Sequence, residues 1–538
     1  MASFGIATGG AASEAAETVV PGLIEERFAS RLSAQDDSLW GEEAQPEASV
    51  RLGWVHPAAA SRPLVEPILA LRDELRAQGV DRVVLAGMGG SSLAPEVITA
   101  TAGVPLTVLD STDPGMVRNA VAERIEATVV VVSSKSGSTL ETDSQRRIFE
   151  AAFAEAGIDA TRRIVVVTDP GSPLDASARE AGYRVFNADP NVGGRYSALT
   201  AFGLVPSGLA GVDILTLLDD AEATEEELAE DDDANPALLL GAAMAGTTPL
   251  RDKIVIVDEG SGLAGFGDWA EQLVAESTGK HGTGVLPVVA AAGDADAVSG
   301  WDDVLLVRLV DDLDAATSDA AVRDQVVLSG SLGTQFAVWE HAVAVAGRLL
   351  GINPFDQPDV EAAKVAARGL LEATPEPEAP LAVDGAVELR ASDSIAADVK
   401  DLTSGLRALF GALGEDGYVA VQAYLDRVAL APLAEVRAPL AAAVRRPVTF
   451  GWGPRFLHST GQYHKGGPAQ GAFLQISAQD GEELAIPGRE FGFGTLIRAQ
   501  ADGDAAVLTG HGLPVLRLRL TDTAAGLAQL RAALDGLA

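Results

Sequence analysis

Cysteine is absent from the 538-residue sequence, and histidine is scarce. Without thiols the chain has no means of forming a disulfide bond, a thiolate metal site or an iron–sulfur cluster, and it has no cysteine nucleophile. No two histidines are spaced as H-x-H or H-x-x-x-H, which disfavours a metal centre built on such pairs. The six histidines are His56, His281, His341, His458, His464 and His511.

Long apolar runs and basic charge are also in short supply. No stretch holds the eighteen uninterrupted apolar residues of a membrane-spanning helix, and the first thirty residues lack a basic segment followed by an apolar core, so we expect a cytoplasmic protein. The formal net charge is −38, with 77 acidic against 39 basic residues, so we expect neither nucleic acid nor membrane as a partner. A small phosphate ester would need backbone N–H groups and a few placed basic side chains.

Short β-branched runs alternate with helical stretches along most of the chain, and 47% of the residues are hydrophobic. Continuous apolar runs of this kind are typical of buried strands in parallel sheets with helices on both faces, so the pattern predicts an α/β fold. The runs lie at residues 83–85, 129–132, 164–167, 253–257, 286–289, 304–310, 418–424, 448–450, 473–476 and 515–520.

Changes in composition indicate where domains begin and end. We predict a helical N-terminal segment at 1–75, a first α/β domain at 76–235 and a second at 236–372. The segment 372–380, EATPEPEAP, is acidic and rich in proline, which is typical of a linker. The strands beyond it either extend the second sheet or form a third subdomain, and we expect residues 381–538 to be an α/β region that completes the second domain.

Two loops follow predicted strands and open predicted helices. Residues 87–95, GMGGSSLAP, would let the backbone approach an anion, although a tight turn with a serine cap has the same pattern. Residues 133–142, SSKSGSTLET, carry several hydroxyls and Lys135; Ser138 and Glu141 match a capping box, which explains only part of the segment. Loops at the carboxyl ends of neighbouring parallel strands form the usual ligand crevice of an open α/β sheet.

These loops resemble the phosphate-binding loops of sugar isomerase domains, and four further segments are similar to signatures of the glucose-6-phosphate isomerase family. The segments are GGRYS at 193–197, ESTGK at 276–280, the series EH, FDQ, VE and K between 340 and 364, and GPRFLH at 453–458 followed by His464. The resemblance spans roughly residues 80–475 and implies two sugar-isomerase-type domains, each a parallel-sheet sandwich.

The resemblance implies an enzyme without metal or cofactor that interconverts glucose 6-phosphate and fructose 6-phosphate through a cis-enediol. Glu276 would move a proton between C1 and C2, Arg195 would stabilise the enediolate, and His458 with Lys364 would open the ring. Gln272, one helical turn before Glu276, would hold a substrate hydroxyl. The phosphate and sugar contacts would be Gly90, Ser91, Ser134, Lys135, Ser136, Thr139 and Gln357.

Two features depart from the better-known members of this family. The histidine loop follows Lys364 here and precedes the lysine segment there, which makes the chain most similar to the isomerase portion of bacterial transaldolase–isomerase fusion proteins, in a stand-alone version. His464 is therefore a second candidate for the ring-opening histidine. Pro358 and Asp359 stand where many members have Trp-Gly, which leaves the contacts around Gln357 open.

Other functions explain fewer of these sequence features. A metal-dependent sugar-phosphate isomerase lacks its histidine cluster here, and a glutamine-dependent aminosugar synthase lacks its cysteine nucleophile. A regulator that binds a sugar phosphate without turnover has no use for Glu276, Arg195 and Lys364 together. An isomerase that also accepts mannose 6-phosphate would use the same proton chemistry and stays open. The resemblance further implies a homodimer with active sites near the subunit interface.

Overall fold

Three β-sheets, each packed with helices, make up the computed structural model, which describes residues 4–316, 324–373, 378–479 and 483–537. The predicted α/β class with parallel sheets is confirmed. Every apolar run that was predicted to be a strand lies in a strand of the structure, although the exact ends differ by a few residues.

The N-terminal segment is mostly helical but begins with a strand that the sequence pattern does not predict. β1 (Gly5–Gly9) pairs antiparallel with Gln325–Ser329 at the edge of the second sheet. Three of its five residues are glycine or alanine, so pairing with a neighbour, rather than local preference, makes it a strand. The helices that follow are α1 (Ala11–Glu25), α2 (Phe28–Ser33), α3 (Gln45–Ala48) and α4 (Pro57–Ala77).

The first sheet is parallel throughout and has the order β3-β2-β4-β5-β6. Its strands are β2 (Arg82–Gly87), β3 (Thr107–Leu109), β4 (Thr128–Ser133), β5 (Ile164–Thr168) and β6 (Arg184–Asn187). Both faces are buried: Val83 and Leu85 pack into one core, while Val84 and Ala86 pack into another. The helices are α5 (Leu93–Thr101), α6 (Pro114–Ala122), α7 (Leu140–Glu155), α8 (Pro173–Glu180), α9 (Ala201–Ala210), α10 (Ile214–Glu222) and α11 (Glu225–Leu228).

The second sheet has the order β1-β10-β9-β7-β8 and is parallel except for β1. Its other strands are β7 (Lys253–Asp258), β8 (Leu286–Ala290), β9 (Val304–Leu309) and β10 (Gln325–Ser329). The helices are α12 (Pro236–Ala245), α13 (Phe266–Thr278), α14 (Ala295–Val298), α15 (Leu313–Ala316), α16 (Leu332–Leu350) and α17 (Val360–Ala373). Helix α13 carries Gln272 and Glu276 and ends just past the latter, because Gly279 is its C-cap.

The third sheet is formed entirely by residues after the linker and has the order β11-β12-β16-β15-β13-β14. Its strands are β11 (Ala382–Asp384), β12 (Val387–Ala391), β13 (Tyr418–Tyr424), β14 (Val448–Trp452), β15 (Gly471–Ala478) and β16 (Val515–Leu520). The helices are α18 (Asp393–Ala396), α19 (Leu402–Gly411), α20 (Arg437–Val444), α21 (Gly461–Gly466), α22 (Phe493–Gly510) and α23 (Thr523–Asp535). The last four strands named in the sheet order are parallel.

The C-terminal region therefore forms a sheet of its own and adds no described strand to the second sheet. It is nevertheless joined to the second sheet by a shared core, in which Tyr418 and Phe473 pack with Val255, Val257 and Leu286. The linker residues 374–377 lie outside the described residues. The domain limits given above stay a prediction.

Candidate active site

The glycine-rich loop after β2 lies closely against three other segments. A Cβ on Gly90 would lie 1.9 Å from the carbonyl oxygen of Gly194, so only glycine fits there. Gly89 has a φ of 56°, and a Cβ on it would lie 2.9 Å from both the Gln272 side-chain nitrogen and the His458 carbonyl oxygen. These glycines allow the loop to meet the GGRYS segment, α13 and the histidine loop.

Hydroxyl groups gather at the edge of the first sheet where β2 and β4 end. Because the two strands are parallel neighbours, the glycine loop with the buried Ser91 and the loop after β4 emerge side by side. In the second loop, the Ser134 and Thr139 hydroxyl oxygens are 3.0 Å apart, and Ser136 Oγ lies 2.9 Å from the Ser138 hydroxyl. The edge thus presents hydroxyls close to backbone N–H groups, as an anion requires.

The ammonium group of Lys135 already has partners outside this loop. Its ammonium group pairs with Asp169 and also donates a hydrogen bond to the Pro190 carbonyl oxygen at 3.2 Å. Burial raises the pKa of the Asp169 carboxyl, although the hydrogen bond and charge of Lys135 oppose that rise. A phosphate in the loop would therefore share Lys135 with Asp169.

Glu276 and Arg195 form a buried pair at the centre of the site. Arg195 Nη1 is 3.6 Å from Glu276 Oε1, and the side chains are 4% and 8% exposed. Gln272 donates from Nε2 to Glu276 Oε2 at 3.1 Å and to the His458 carbonyl oxygen at 2.7 Å. Its Oε1 is buried and has no hydrogen-bond partner among the described residues, and the same is true of Arg195 Nε. The predicted placement of Gln272 beside Glu276 on one helical face is thus found in the structure.

The loop between α16 and α17 holds Arg195 in place. Arg195 Nη2 donates to the carbonyl oxygens of Pro354, at 2.7 Å, and Asp356, at 2.9 Å, while Nη1 donates to Gln357 Oε1 at 3.1 Å. Lys280 supports the same loop, because its ammonium donates to the Asn353 and Asp356 carbonyl oxygens, each at 2.7 Å. Burial, together with the charge of Arg195, lowers the pKa of Lys280 to about 8. The side chain of Gln357 therefore contacts Arg195 directly.

His458 reaches the site from the third sheet and meets Glu141 from the first. His458 Nε2 lies 3.3 Å from Glu141 Oε1. Burial acts to raise the pKa of the Glu141 carboxyl, but the hydrogen bond and charge of His458, followed by the charge of Lys364, bring it below its usual value. Gln500 Nε2 donates to the same Glu141 oxygen at 2.7 Å and fixes that carboxylate from α22.

Glu141 is the functional candidate that the sequence reasoning missed. The capping box predicted for Ser138 and Glu141 is wrong. The N-cap of α7 is Thr139, which makes no side-chain cap hydrogen bond. The sequence feature that could have indicated a functional role for Glu141 is its place next to a hydroxyl-rich loop at the predicted ligand crevice. Lys364, in α17, is half-buried, and its charge acts on Glu141, which contacts His458.

His464, the second candidate for the ring-opening histidine, lies in a buried aromatic cluster. Its Nδ1 is 2.9 Å from the Tyr418 hydroxyl, and its ring stacks on Tyr418 and meets the edge of Phe473. Burial lowers the pKa of His464 to about 3, so the imidazole is neutral over the physiological range. This environment indicates a packing role, whereas His458 contacts Gln272 and Glu141.

The histidine loop is anchored to the first sheet by Arg455. Arg455 Nη1 contacts Glu96 in α5 and Asp110 just past β3, each at 2.5 Å, and Nη2 lies 3.5 Å from Asp268 on α13. Arg427 holds the other oxygen of Asp110 at 2.9 Å. The side chain of Asp110 is fully buried. The loop is thus tied to the elements that carry the glycine turn and Glu276.

Neither a metal centre nor a membrane segment is found within the described ranges. Among these residues, no group of three or more histidine, aspartate or glutamate side chains is arranged to hold a metal ion. Of the helices in the described part of the chain, none has the length and apolar character needed to cross a membrane.

Parallel sheets whose adjacent strand ends carry glycine- and serine-rich loops, around a buried glutamate–arginine pair, define an aldose–ketose isomerase of the sugar isomerase fold. A probable glucose-6-phosphate isomerase from Natronomonas pharaonis is 34% identical to the chain over 341 residues, which are 54% of this chain and 79% of that protein. One from Haloarcula marismortui is 31% identical over 348 residues, 55% of this chain and 80% of that protein. The chain belongs to the glucose-6-phosphate isomerase family.

Solved structures agree on the fold. A hypothetical protein from Thermus thermophilus superposes with a TM-score of 0.56 at 29% identity, covering 67% of this chain and 97% of its own. A glucose-6-phosphate isomerase from Chlamydia trachomatis gives a TM-score of 0.54 at 22% identity, covering 66% of this chain and 86% of its own. No model of a known protein family matches the chain. The finer resemblance to transaldolase–isomerase fusion proteins stays a prediction.

Proposed function

We propose that the chain interconverts glucose 6-phosphate and fructose 6-phosphate, with Glu276 as the base that carries a proton between C2 and C1. The observation that carries this proposal is the buried contact of 3.6 Å between Arg195 and Glu276. A carboxylate beside a fixed guanidinium can take a carbon-bound proton while the cation stabilises the negative charge that develops on the adjacent oxygens.

The proton transfer follows from the groups around Glu276. One carboxylate oxygen removes the proton at C2 of the open-chain aldose, the electrons shift to the carbonyl oxygen at C1, and a cis-enediolate forms. Arg195 stabilises its oxygens, and Gln272 accepts a hydrogen bond from a substrate hydroxyl at its unpartnered Oε1. The proton of the C2 hydroxyl then moves to the C1 oxygen, and return of the abstracted proton from Glu276 to C1 gives the ketose, with its carbonyl at C2. A positioned general base contributes about 10²- to 10⁴-fold to such a rate.

Ring opening precedes this step, and His458 is proposed to perform it with Lys364. Glu141 holds Nε2 of the imidazole, so Nδ1 is left to exchange a proton with the sugar. One of the two groups protonates the ring oxygen while the other removes the proton of the anomeric hydroxyl, which breaks the bond between C1 and the ring oxygen. Glu141 acts as a positioning residue for His458.

The phosphate is proposed to bind at the joint edge of the glycine and serine loops. The hydroxyls of Ser91, Ser134, Ser136 and Thr139 would donate to its oxygens, and Gly90 would allow close backbone approach. Lys135 would contribute charge while remaining paired with Asp169. Gln357 would act mainly through Arg195, to which it is hydrogen bonded.

The test is the rate of glucose 6-phosphate formation from fructose 6-phosphate in the presence of EDTA, followed with a coupled dehydrogenase. We expect rapid turnover that Glu276→Gln reduces by at least about 10²-fold. Glu271→Gln is the matched control on the same helix, because burial raises the pKa of Glu271 to about 8 and the substitution leaves a neutral group neutral at pH 7.

No turnover by the folded protein would refute the proposal and favour a regulator that binds the sugar phosphate. Equal turnover of mannose 6-phosphate would extend it to the broader isomerase considered above. The homodimer stays a prediction that rests on the resemblance, and the cytoplasmic location stays a prediction from the sequence pattern.

A further inference from the structure

A large cavity lies away from the Glu276–Arg195 pair, between the third sheet and the first α/β domain. Its volume is about 920 Å³, enough for a nucleotide-sized or bisphosphorylated metabolite. Its walls come from the ends of the third sheet, the N-terminal part of α6 and the middle of α22. None of the residues assigned to the isomerase reaction lines it.

The cavity opens where three parallel strands of the third sheet end. Asp426 follows β13, Gln479 follows β15 and Thr523 follows β16, and all three line the cavity. In open α/β sheets, ligands bind in the crevice beyond the carboxyl ends of such strands. The position is therefore the one that the topology of the third sheet favours for a ligand.

Arginines are concentrated in the cavity wall, in a chain whose net charge is −38. They are Arg118, Arg390, Arg498, Arg517 and Arg519. Some of this charge is already paired within the protein, because Glu378 and Asp502 pair with Arg517, and Glu388 pairs with Arg390. The other two carboxylates in the wall, Asp113 and Asp426, each accept two backbone N–H groups.

Arg519 is well placed for a ligand. It lies in β16 beside Ser477 of β15 and is half-buried, on the sheet face opposite the leucines that fill the core of the third sheet. Arginine presents a planar fork of donors that matches phosphate oxygens, and Ser477, Thr495 and Thr523 add hydroxyls to the same wall.

We propose that this cavity is a second binding site, specific for a small metabolite with two or more phosphate charges and separate from the isomerase crevice. The separation is physical: the crevice lies at the carboxyl edge of the first sheet, and the cavity lies at that of the third. Binding here requires no isomerase activity, so the proposal stands or falls independently of the proposed function.

Isothermal titration calorimetry with inorganic pyrophosphate tests the site. The full chain is first saturated with glucitol 6-phosphate, a linear sugar phosphate that has no carbonyl to isomerise and that the proposed function expects to fill the crevice. We expect one pyrophosphate per chain at low ionic strength, with citrate binding more weakly. The absence of pyrophosphate binding, or citrate binding as tight as that of pyrophosphate, would overturn the proposal.

Three variants locate the binding. We expect Arg519→Gln and Ala506→Glu each to weaken pyrophosphate about tenfold or more, since each removes or opposes one charge contact. Ala506 is exposed at the cavity rim, so that variant keeps the test valid even if Arg519→Gln unfolds the protein. Arg407→Gln is the matched control, because Arg407 is exposed on α19, which packs on the opposite face of the sheet. An equal loss in this control, or no loss in Ala506→Glu, would refute the site.

Discussion

Glu141 and His458 are 317 positions apart in the chain, yet Oε1 of the first lies 3.3 Å from Nε2 of the second. The glutamate lies in the first turn of α7, beside the first sheet, and the histidine follows a strand of the third. Gln500 in α22 holds the same glutamate oxygen, so the contact is fixed from two sides. Folding of the C-terminal region thus brings the histidine that is proposed to open the sugar ring to the edge of the first sheet.

This contact predicts that ring opening can be separated from isomerisation. We expect Glu141→Gln to slow exchange between the two anomers of glucose 6-phosphate about 10- to 100-fold, because the imidazole loses the group that orients it. His458→Asn should slow this exchange further. Glu276→Gln should abolish isomerisation and leave anomer exchange intact.

Two-dimensional exchange NMR on the sugar resonances measures both processes in one sample. His511→Asn is the control, since His511 is exposed. Unchanged anomer exchange in His458→Asn would show that another group opens the ring.

The contacts of Arg195 predict that replacing it lowers kcat with little change in KM. Its planar group spans Glu276, Gln357 and two carbonyl oxygens, which a lysine ammonium is unable to do. We expect Arg195→Lys to lower kcat about 10²- to 10³-fold, as for the loss of one oxyanion donor. Steady-state kinetics test this, with Arg184→Lys as an exposed control in the same domain. A rise in KM alone would indicate that Arg195 binds the ground state.

The ion network around Asp110 predicts a stability effect that depends on pH. Burial acts to raise the pKa of Asp110, but the charges of Arg427 and Arg455 hold it below its usual value. The contribution of ionised Asp110 to the free energy of unfolding is therefore complete above pH about 4 and is lost as the pH falls through the lowered pKa. We expect Asp110→Asn to cost about 3 kcal/mol at pH 7, because two largely buried arginines lose a partner.

Urea unfolding at pH 7 and pH 3 measures this difference, which should shrink at the lower pH. Asp81→Asn is the comparison, because Asp81 forms an exposed pair and should cost less than about 1 kcal/mol. A loss for Asp110→Asn that is the same at both pH values would contradict the ionic explanation.

The buried position of His464 predicts that this residue makes the stability of the fold sensitive to acid and that it takes no part in catalysis. The unfolded chain binds a proton at this residue below pH about 6.5, whereas in the folded protein the pKa is about 3. Its contribution to stability is thus constant above pH about 6.5 and falls by about 1.4 kcal/mol per pH unit below it. We expect His464→Gln to flatten the stability profile between pH 6 and pH 4 while anomer exchange persists. A variant that folds but no longer exchanges the anomers would make His464 the ring-opening group.

Local patterns predicted the parts of the fold that depend on local properties. The apolar run at 129–132 is β4, and Gln272 lies one turn before Glu276 on α13, because burial on both faces and helical spacing leave direct marks in the sequence. The strand β1 was missed, because its pairing with β10 lies more than three hundred residues away. Glu141 was misread for the same reason: its partner is on another sheet, and nothing near it in the chain indicates that contact.

The histidine loop has a consequence for how the site is completed during synthesis. A ribosome delivers Glu141 first, Glu276 next and His458 only after four fifths of the chain has been made. Before that point the growing chain already holds the proposed phosphate loops and the proposed base, but it lacks the histidine that is proposed to open the ring. If these roles hold, a chain without its last sheet would convert only sugars that are already linear, and the common cyclic forms would become substrates once that sheet has folded.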